Sequence, residues 1–203
     1  LAQLFELPPP LPEKGIKEAT PDLEEVKASR KLKSPSMFGQ GVIAACQMAD
    51  VVFMGLHGAS GEDGRVQAAL DLLGIPYTGS GYLGSAIAMD KNYTKHLAER
   101  AGIRTPAWRY VSLTPIEVEQ TAQHAPLPCV VKTPSGGSSV GVDICHTREQ
   151  LRHALADSRQ YGEQILLEQY IKGREFACGV LEGESLPPIE IIPKEGFYDY
   201  RNK

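Results

Sequence analysis

At 203 residues, 42 % of them apolar and 23 % charged, the chain has the make-up of a soluble globular protein of one large or two small domains. A net charge of −4 offers no basic face to nucleic acid, and no apolar run approaches the roughly 20 residues that cross a bilayer. Cys46, Cys129, Cys145 and Cys178 are widely spaced and form no C-x-x-C pair, so reduced thiols of a cytosolic protein are expected. The sequence opens on Leu1 rather than Met, shows no signal pattern and stops at Lys203 just after an aromatic cluster, so a fragment at both ends is expected.

Residues 1–40 carry Pro8, Pro9, Pro10, Pro12, Pro21 and Pro35, which break any long element. A short helix over 21–29, capped by Thr20 with Pro21 at its first position, is the one element predicted there. Residues 50–56 are apolar throughout and predict a buried strand of parallel-sheet type. The loop from His57 to Gly64 follows, then a helix with Val66, Ala69, Leu70 and Leu73 on one stripe and Gly74 as its stop. Strand, glycine-rich loop and helix put His57 and Glu62 at the carboxyl end of a strand, where open α/β sheets bind ligands. A histidine in such a loop serves a structural role equally well.

A short strand and turn over 75–81 leads to a brief helix over 83–89 and a second over 91–101, whose predicted buried stripe is Tyr93, Leu97, Ala98 and Ala101. Lys91 stands at that helix start, where a cation opposes the helix dipole and calls for a nearby anion. A strand over 107–111 and a helix from Thr114-Pro115 to His124 come next. Cys129 to Val131 is a short apolar strand ending on Lys132, and Pro134-Ser135-Gly136-Gly137-Ser138-Ser139 continues neither strand nor helix before a strand over 140–144. A lysine at a strand end followed by an amide-rich loop between two strands suits a phosphate cradle, and it also suits a loose turn beside a solvent-facing lysine. Thr147-Arg148-Glu149-Gln150 is a capping box for a helix burying Leu151, Ala154 and Leu155. A strand over 164–170 is expected to pair antiparallel with 174–181 across the Lys172-Gly173 turn, with a further strand over 189–192 and a loop over 194–203.

Several segments match one family together. They are Leu56-His57-Gly58 with Gly61-Glu62-Asp63-Gly64, Leu73-Gly74-Ile75-Pro76-Tyr77-Thr78-Gly79-Ser80-Gly81, and Ala88-Met89-Asp90-Lys91. Val131-Lys132 with Gly137-Ser138-Ser139-Val140-Gly141, Leu167-Glu168, Gly173-Arg174-Glu175 and Phe197-Tyr198-Asp199-Tyr200 complete the set. In order and spacing the chain resembles D-alanine–D-alanine ligases of the ATP-grasp superfamily over about residues 50–203, with residues 1–40 contributing nothing. The resemblance implies an α+β, ATP-grasp fold, incomplete, with 1–89 the remnant of a Rossmann-like pre-ATP-grasp domain. Residues 90–168 would then be the first ATP-grasp lobe and 169–203 the beginning of the second.

The implied activity joins two D-alanines for peptidoglycan synthesis in the bacterial cytoplasm: ATP phosphorylates one carboxylate, and the second amine displaces the phosphate. By the same resemblance Lys91 and Lys132 contact the ATP phosphates, and Gly136, Gly137, Ser138 and Ser139 close over them. Glu168 and the backbone at Ile171 form the adenine hinge, with Glu175 on the ribose. His57 and Glu62 lie at the D-alanine pocket, Ser138 helps hold substrate and Lys203 approaches the transferred phosphate. On pattern alone, Glu168 and Glu175 also read as ordinary polar strand residues, and Tyr198 and Tyr200 as packing aromatics.

Thr133 departs from the family's usual proline and Gln169 from its frequent lysine. The opening strand with its acidic residue is missing, and the Mg²⁺ ligands, expected beyond Lys203, leave no metal site in this chain and an inactive chain when alone. A D-lactate or D-serine acceptor is the alternative within the class, and a non-catalytic nucleotide-binding fragment the alternative outside it. The resemblance also implies a homodimer, with neither nucleic acid nor membrane as partner.

Overall fold

The computed structural model describes residues 25, 28, 29, 36–137 and 139–193. The chain divides into two compact units, residues 1–49 and 50–203. In the first, helix α1 (Val42–Gln47) buries none of its side chains. Glu25, Ala28 and Ser29 are also helical, while the Thr20 cap and Pro21 of the helix expected there lie outside the described residues.

The second unit begins with three helices, α2 (Arg65–Leu72), α3 (Tyr82–Met89) and α4 (Lys91–Arg100), with α3 packed against both of the others. Gly64, at φ 86°, precedes α2, and a Cβ there would meet the Tyr82 carbonyl oxygen at 2.2 Å, so only glycine lets the loop lie against the start of α3. Asp90 caps α4 by accepting from the N–H groups of Asn92 (2.9 Å) and Tyr93 (3.3 Å). The carboxylate that offsets a cation at this helix start is therefore the residue just before Lys91.

A four-stranded antiparallel sheet follows, built from β1 (Trp108–Ser112), β2 (Cys129–Lys132), β3 (Val142–Cys145) and β4 (Gln164–Gln169) in the spatial order β1-β4-β2-β3. Two helices, α5 (Pro115–His124) and α6 (Arg148–Asp157), cover one face. Strand alternation sends Val111, Cys129, Val131, Cys145, Ile165 and Leu167 to that face, where Leu151 and Leu155 of α6 close the core. Thr114 caps α5 with Pro115 at its first turn, and the Thr147–Gln150 capping box of α6 forms in both directions. The opposite face presents Val130, Lys132, Leu166 and Glu168, with Glu168 in register between Trp108 on β1 and Val130 on β2. Beyond the sheet, β5 (Glu175–Ala177) pairs with β8 (Ile189–Ile191), and β6 (Val180–Leu181) with β7 (Glu184–Ser185).

Four expectations are corrected here. Residues 50–56 are not a buried strand: Val52 alone bridges, parallel to Tyr77, and Phe53 is 84 % exposed. A segment paired on one side covers only alternate residues, here Val52 and Met54, and an all-apolar run does not reveal how many neighbours it has. On α4 the expected stripe is reversed, with Tyr93 61 % exposed and Lys95 the buried residue, because an ion pair compensates what hydrophobic periodicity counts as polar. On α2, Leu73 is exposed and Gln67 buried instead, its Nε2 donating to the Gly61 carbonyl at 2.7 Å. Finally, the strand at 175–177 pairs with β8 rather than β4, both of whose edges are already taken by β1 and β2.

The four cysteines are free, Cys129 and Cys145 buried opposite each other, Cys46 half-buried and Cys178 exposed. Among the described residues no helix is long and apolar enough to cross a membrane.

Candidate functional site

The elements preceding the sheet and the loop leaving β2 enclose a cavity of about 540 Å³, lined by Met54, Glu62, Thr78, Ser85, Lys91 and Gly136 among others. Each polar lining group is placed by local chemistry. In the loop before α2, Glu62 folds back so that Oε2 accepts the Gly58 N–H at 2.5 Å, and Gly58 takes a φ of 72° to allow it. Asp63 braces the same loop, accepting from Ser60 N–H (2.8 Å) and Arg65 N–H (3.2 Å) and pairing with the Arg65 guanidinium at 3.0 Å. Partial burial acts upward on its carboxyl, but those backbone donors and the Arg65 charge hold it below the ordinary carboxylate value.

The loop between β2 and β3 is tied to α4 twice. The Lys91 N–H donates to the Pro134 carbonyl and its ammonium to the Gly136 carbonyl, each at 2.9 Å. Lys91 is half-buried, and burial lowers its pKa, with the nearby Lys132 charge acting the same way and Glu168 and Asp90 opposing. Two ammonium groups in mutual electrostatic range beside a glycine-rich loop make a region of positive potential open to an anion. Gly136 and Gly137 are exposed, and Ser139 is half-buried at a left-handed φ of 60°.

Behind this region lies a buried carboxylate. Glu168 is 5 % exposed; its Oε2 accepts from Lys132 Nζ at 2.6 Å and its Oε1 lies 3.2 Å from Lys95 Nζ. Lys95 also donates to Thr105 Oγ1 (2.6 Å) and to the Pro106 carbonyl (3.3 Å), and its ammonium lies 5.8 Å from the Trp108 ring centroid.

Of the residues singled out from sequence, Glu62, Lys91, Gly136 and Gly137 meet at the cavity, and Lys132 and Glu168 stand together beside Lys91. His57 is exposed and does not line the cavity, although its neighbour Leu56 does. Ile171 and Glu175 are exposed, one past the end of β4 and the other at the start of β5. Ser138, Lys203 and the Phe197-Tyr198-Asp199-Tyr200 segment lie outside the described residues. Sequence reasoning missed Lys95, and the available signal was its spacing of four from Lys91, which places two lysines one helical turn apart. Among the described residues no group of three or more His, Cys, Asp or Glu side chains gathers as a metal site would require.

Comparison with known proteins follows the same lines. The family described as "D-ala D-ala ligase C-terminus" matches residues 97–203, and "D-ala D-ala ligase N-terminus" matches residues 11–80. The match thus reaches back to residue 11, correcting the expectation that residues 1–40 contribute nothing to it. A D-alanine–D-alanine ligase of Pediococcus pentosaceus is 40 % identical over 188 residues, 93 % of this chain and 53 % of the relative. The crystal structure of the Bacillus anthracis D-alanine–D-alanine ligase superposes with a TM-score of 0.68 at 37 % identity, covering 83 % of this chain and 55 % of that one. Its complex with ATP gives a TM-score of 0.64 at 36 % identity, over 78 % and 53 %. The chain spans about half the length of the curated relatives it matches.

Proposed function

The chain belongs to the D-alanine–D-alanine ligase family, with its ATP-grasp α+β fold, and from that premise we propose that it serves the ATP-dependent joining of two D-alanines. In this reading ATP supplies a phosphoryl group to one D-alanine carboxylate, and the amine of a second D-alanine displaces it to give the dipeptide used in peptidoglycan. The setting is the bacterial cytoplasm, and a homodimer belongs to the same reading.

The observation that carries it is the meeting of Lys91 with the Gly136–Gly137 backbone at one cleft, with the Lys132 ammonium within electrostatic range of Lys91. Phosphoryl transfer depends on fixed charge and positioning more than on covalent help, and these groups supply both. The Lys91 and Lys132 ammonium groups neutralise the phosphates, while the loop over 134–139, with Ser138 and Ser139, covers them. The domain reading places the first ATP-grasp lobe at 90–168 and the start of the second at 169–203, with Ile171 and Glu175 toward the base and ribose. His57 and Glu62 stand on the D-alanine side, and Lys203 is assigned to the transferred phosphate. Mg²⁺ belongs to the same reading, and among the described residues no cluster of three or more metal-ligating side chains gathers to hold it.

Calorimetric titration of the chain with ATP tests the reading. Binding is expected, weakened about tenfold or more by Lys132→Met, since a charge-assisted contact to phosphate is lost. A second titration of the ATP-loaded chain should show binding of D-alanine that L-alanine does not reproduce. A chain that binds neither ATP nor D-alanine overturns it.

A further inference from the structure

We propose that Lys95 is a positioning residue that keeps a counter-charge on Glu168 while Lys132 leaves that carboxylate to take a phosphate. The inference rests on the nucleotide reading above and extends it to a lysine that faces no ligand.

The two lysines on Glu168 are not equivalent. Lys95 has a side-chain exposure of 9 %, and its ammonium donates to Thr105 Oγ1 and the Pro106 carbonyl while pairing with Glu168 Oε1 at 3.2 Å. It is a fixed counter-charge. Lys132 is 29 % exposed, holds Glu168 through a single contact at 2.6 Å and stands within electrostatic range of Lys91. It is the partner able to exchange.

Each carboxylate oxygen therefore has its own cation, one permanent and one free to turn. If Lys132 were the sole partner, its move to an anion would strand a buried carboxylate, and such a group takes up a proton rather than stay charged and alone. The charged groups facing Glu168 are Lys95 from α4 and Lys132 from β2, with Lys91 in range from the start of α4. With Lys95 in place the cluster keeps two carboxylates, Glu168 and Asp90, against three ammonium groups, and the excess positive charge remains available to the ligand.

The test is ATP titration of the chain at pH 7.5 in buffers of differing ionisation enthalpy, which counts protons bound along with the nucleotide. Lys95→Met should weaken ATP about tenfold and add uptake of up to about one proton relative to wild type. Lys95→Arg should restore wild-type values, and the added uptake should vanish when Lys95→Met is combined with Glu168→Gln. Unchanged affinity and proton count in Lys95→Met overturns the proposal, as does a loss of affinity without proton uptake that persists in the Glu168→Gln background, the mark of a purely structural lysine. Should Lys95→Met fail to fold, Lys132→Met decides: with Lys95 still holding Glu168 it should fold as wild type, and failure there overturns the proposal. Absence of ATP binding by the wild-type chain overturns the nucleotide reading and this inference together, whereas binding indifferent to Lys95 overturns this inference alone.

Discussion

Thr133 donates its backbone N–H to the carbonyl of Gly141 at 3.1 Å, closing the base of the loop between β2 and β3. A proline at this position would have no N–H to give, so the loop would lose this anchor. Thr133→Pro should lower stability by at least about 1 kcal/mol, the net worth of one backbone hydrogen bond. Chemical denaturation of the two proteins measures it, and an unchanged midpoint would show that the bond contributes nothing.

Gly141 faces a tighter constraint. Its φ is 66°, and a Cβ there would lie 2.5 Å from the Thr133 methyl and 3.2 Å from the Tyr161 ring. Gly141→Ala combines a left-handed backbone with a clash, and a loss of about 1–3 kcal/mol is expected from the same denaturation measurement.

Lys91 gives two pH dependences of opposite sign. Its pKa in the fold is lowered, by burial first and by Lys132 second. Between that lowered value and the ordinary lysine value the unfolded chain binds more protons than the folded one, so stability of the ligand-free chain rises with pH across this window. Anion binding runs the other way, because it needs the ammonium and is lost as pH climbs through the lowered pKa. ATP affinity measured at a series of alkaline pH values should fall before an ordinary lysine would titrate. Lys91→Arg should remove that fall, since a guanidinium stays charged throughout.

The thiols should separate by exposure. Cys178 is exposed and should react with a thiol reagent at once, while Cys129 and Cys145, both buried, should react only under denaturant. Mass spectrometry after brief labelling reads this directly, and early modification of either Cys129 or Cys145 would contradict the packing of β2 against β3.

What was legible in the sequence follows the range of the interactions involved. Helix starts were readable because the cap and the residue it serves are neighbours in the chain, as with Thr114-Pro115 and the Thr147–Gln150 box. Lys91, Gly136 and Gly137, which line the cavity, stand out in the sequence for the same reason, as unusual residues at strand and helix ends. Burial was not, where it depends on a distant partner. Lys95 is inside because Glu168, 73 positions away, meets it there, and no periodicity within α4 encodes that. Phe53 is outside although its neighbours are apolar, and Glu175 finds Ile191 rather than β4 because strand pairing is decided by which edges remain open.

Glu168 also governs how the sheet can be assembled. Sliding β4 by a single position would turn this carboxylate toward Leu151 and Leu155 and bring Leu167 out to the lysines. That misalignment strands one charge in oil and two in want of a counter-ion. The strand is therefore pinned at the step that sets Lys132 in place, and correct folding and a correctly aimed ammonium are a single event.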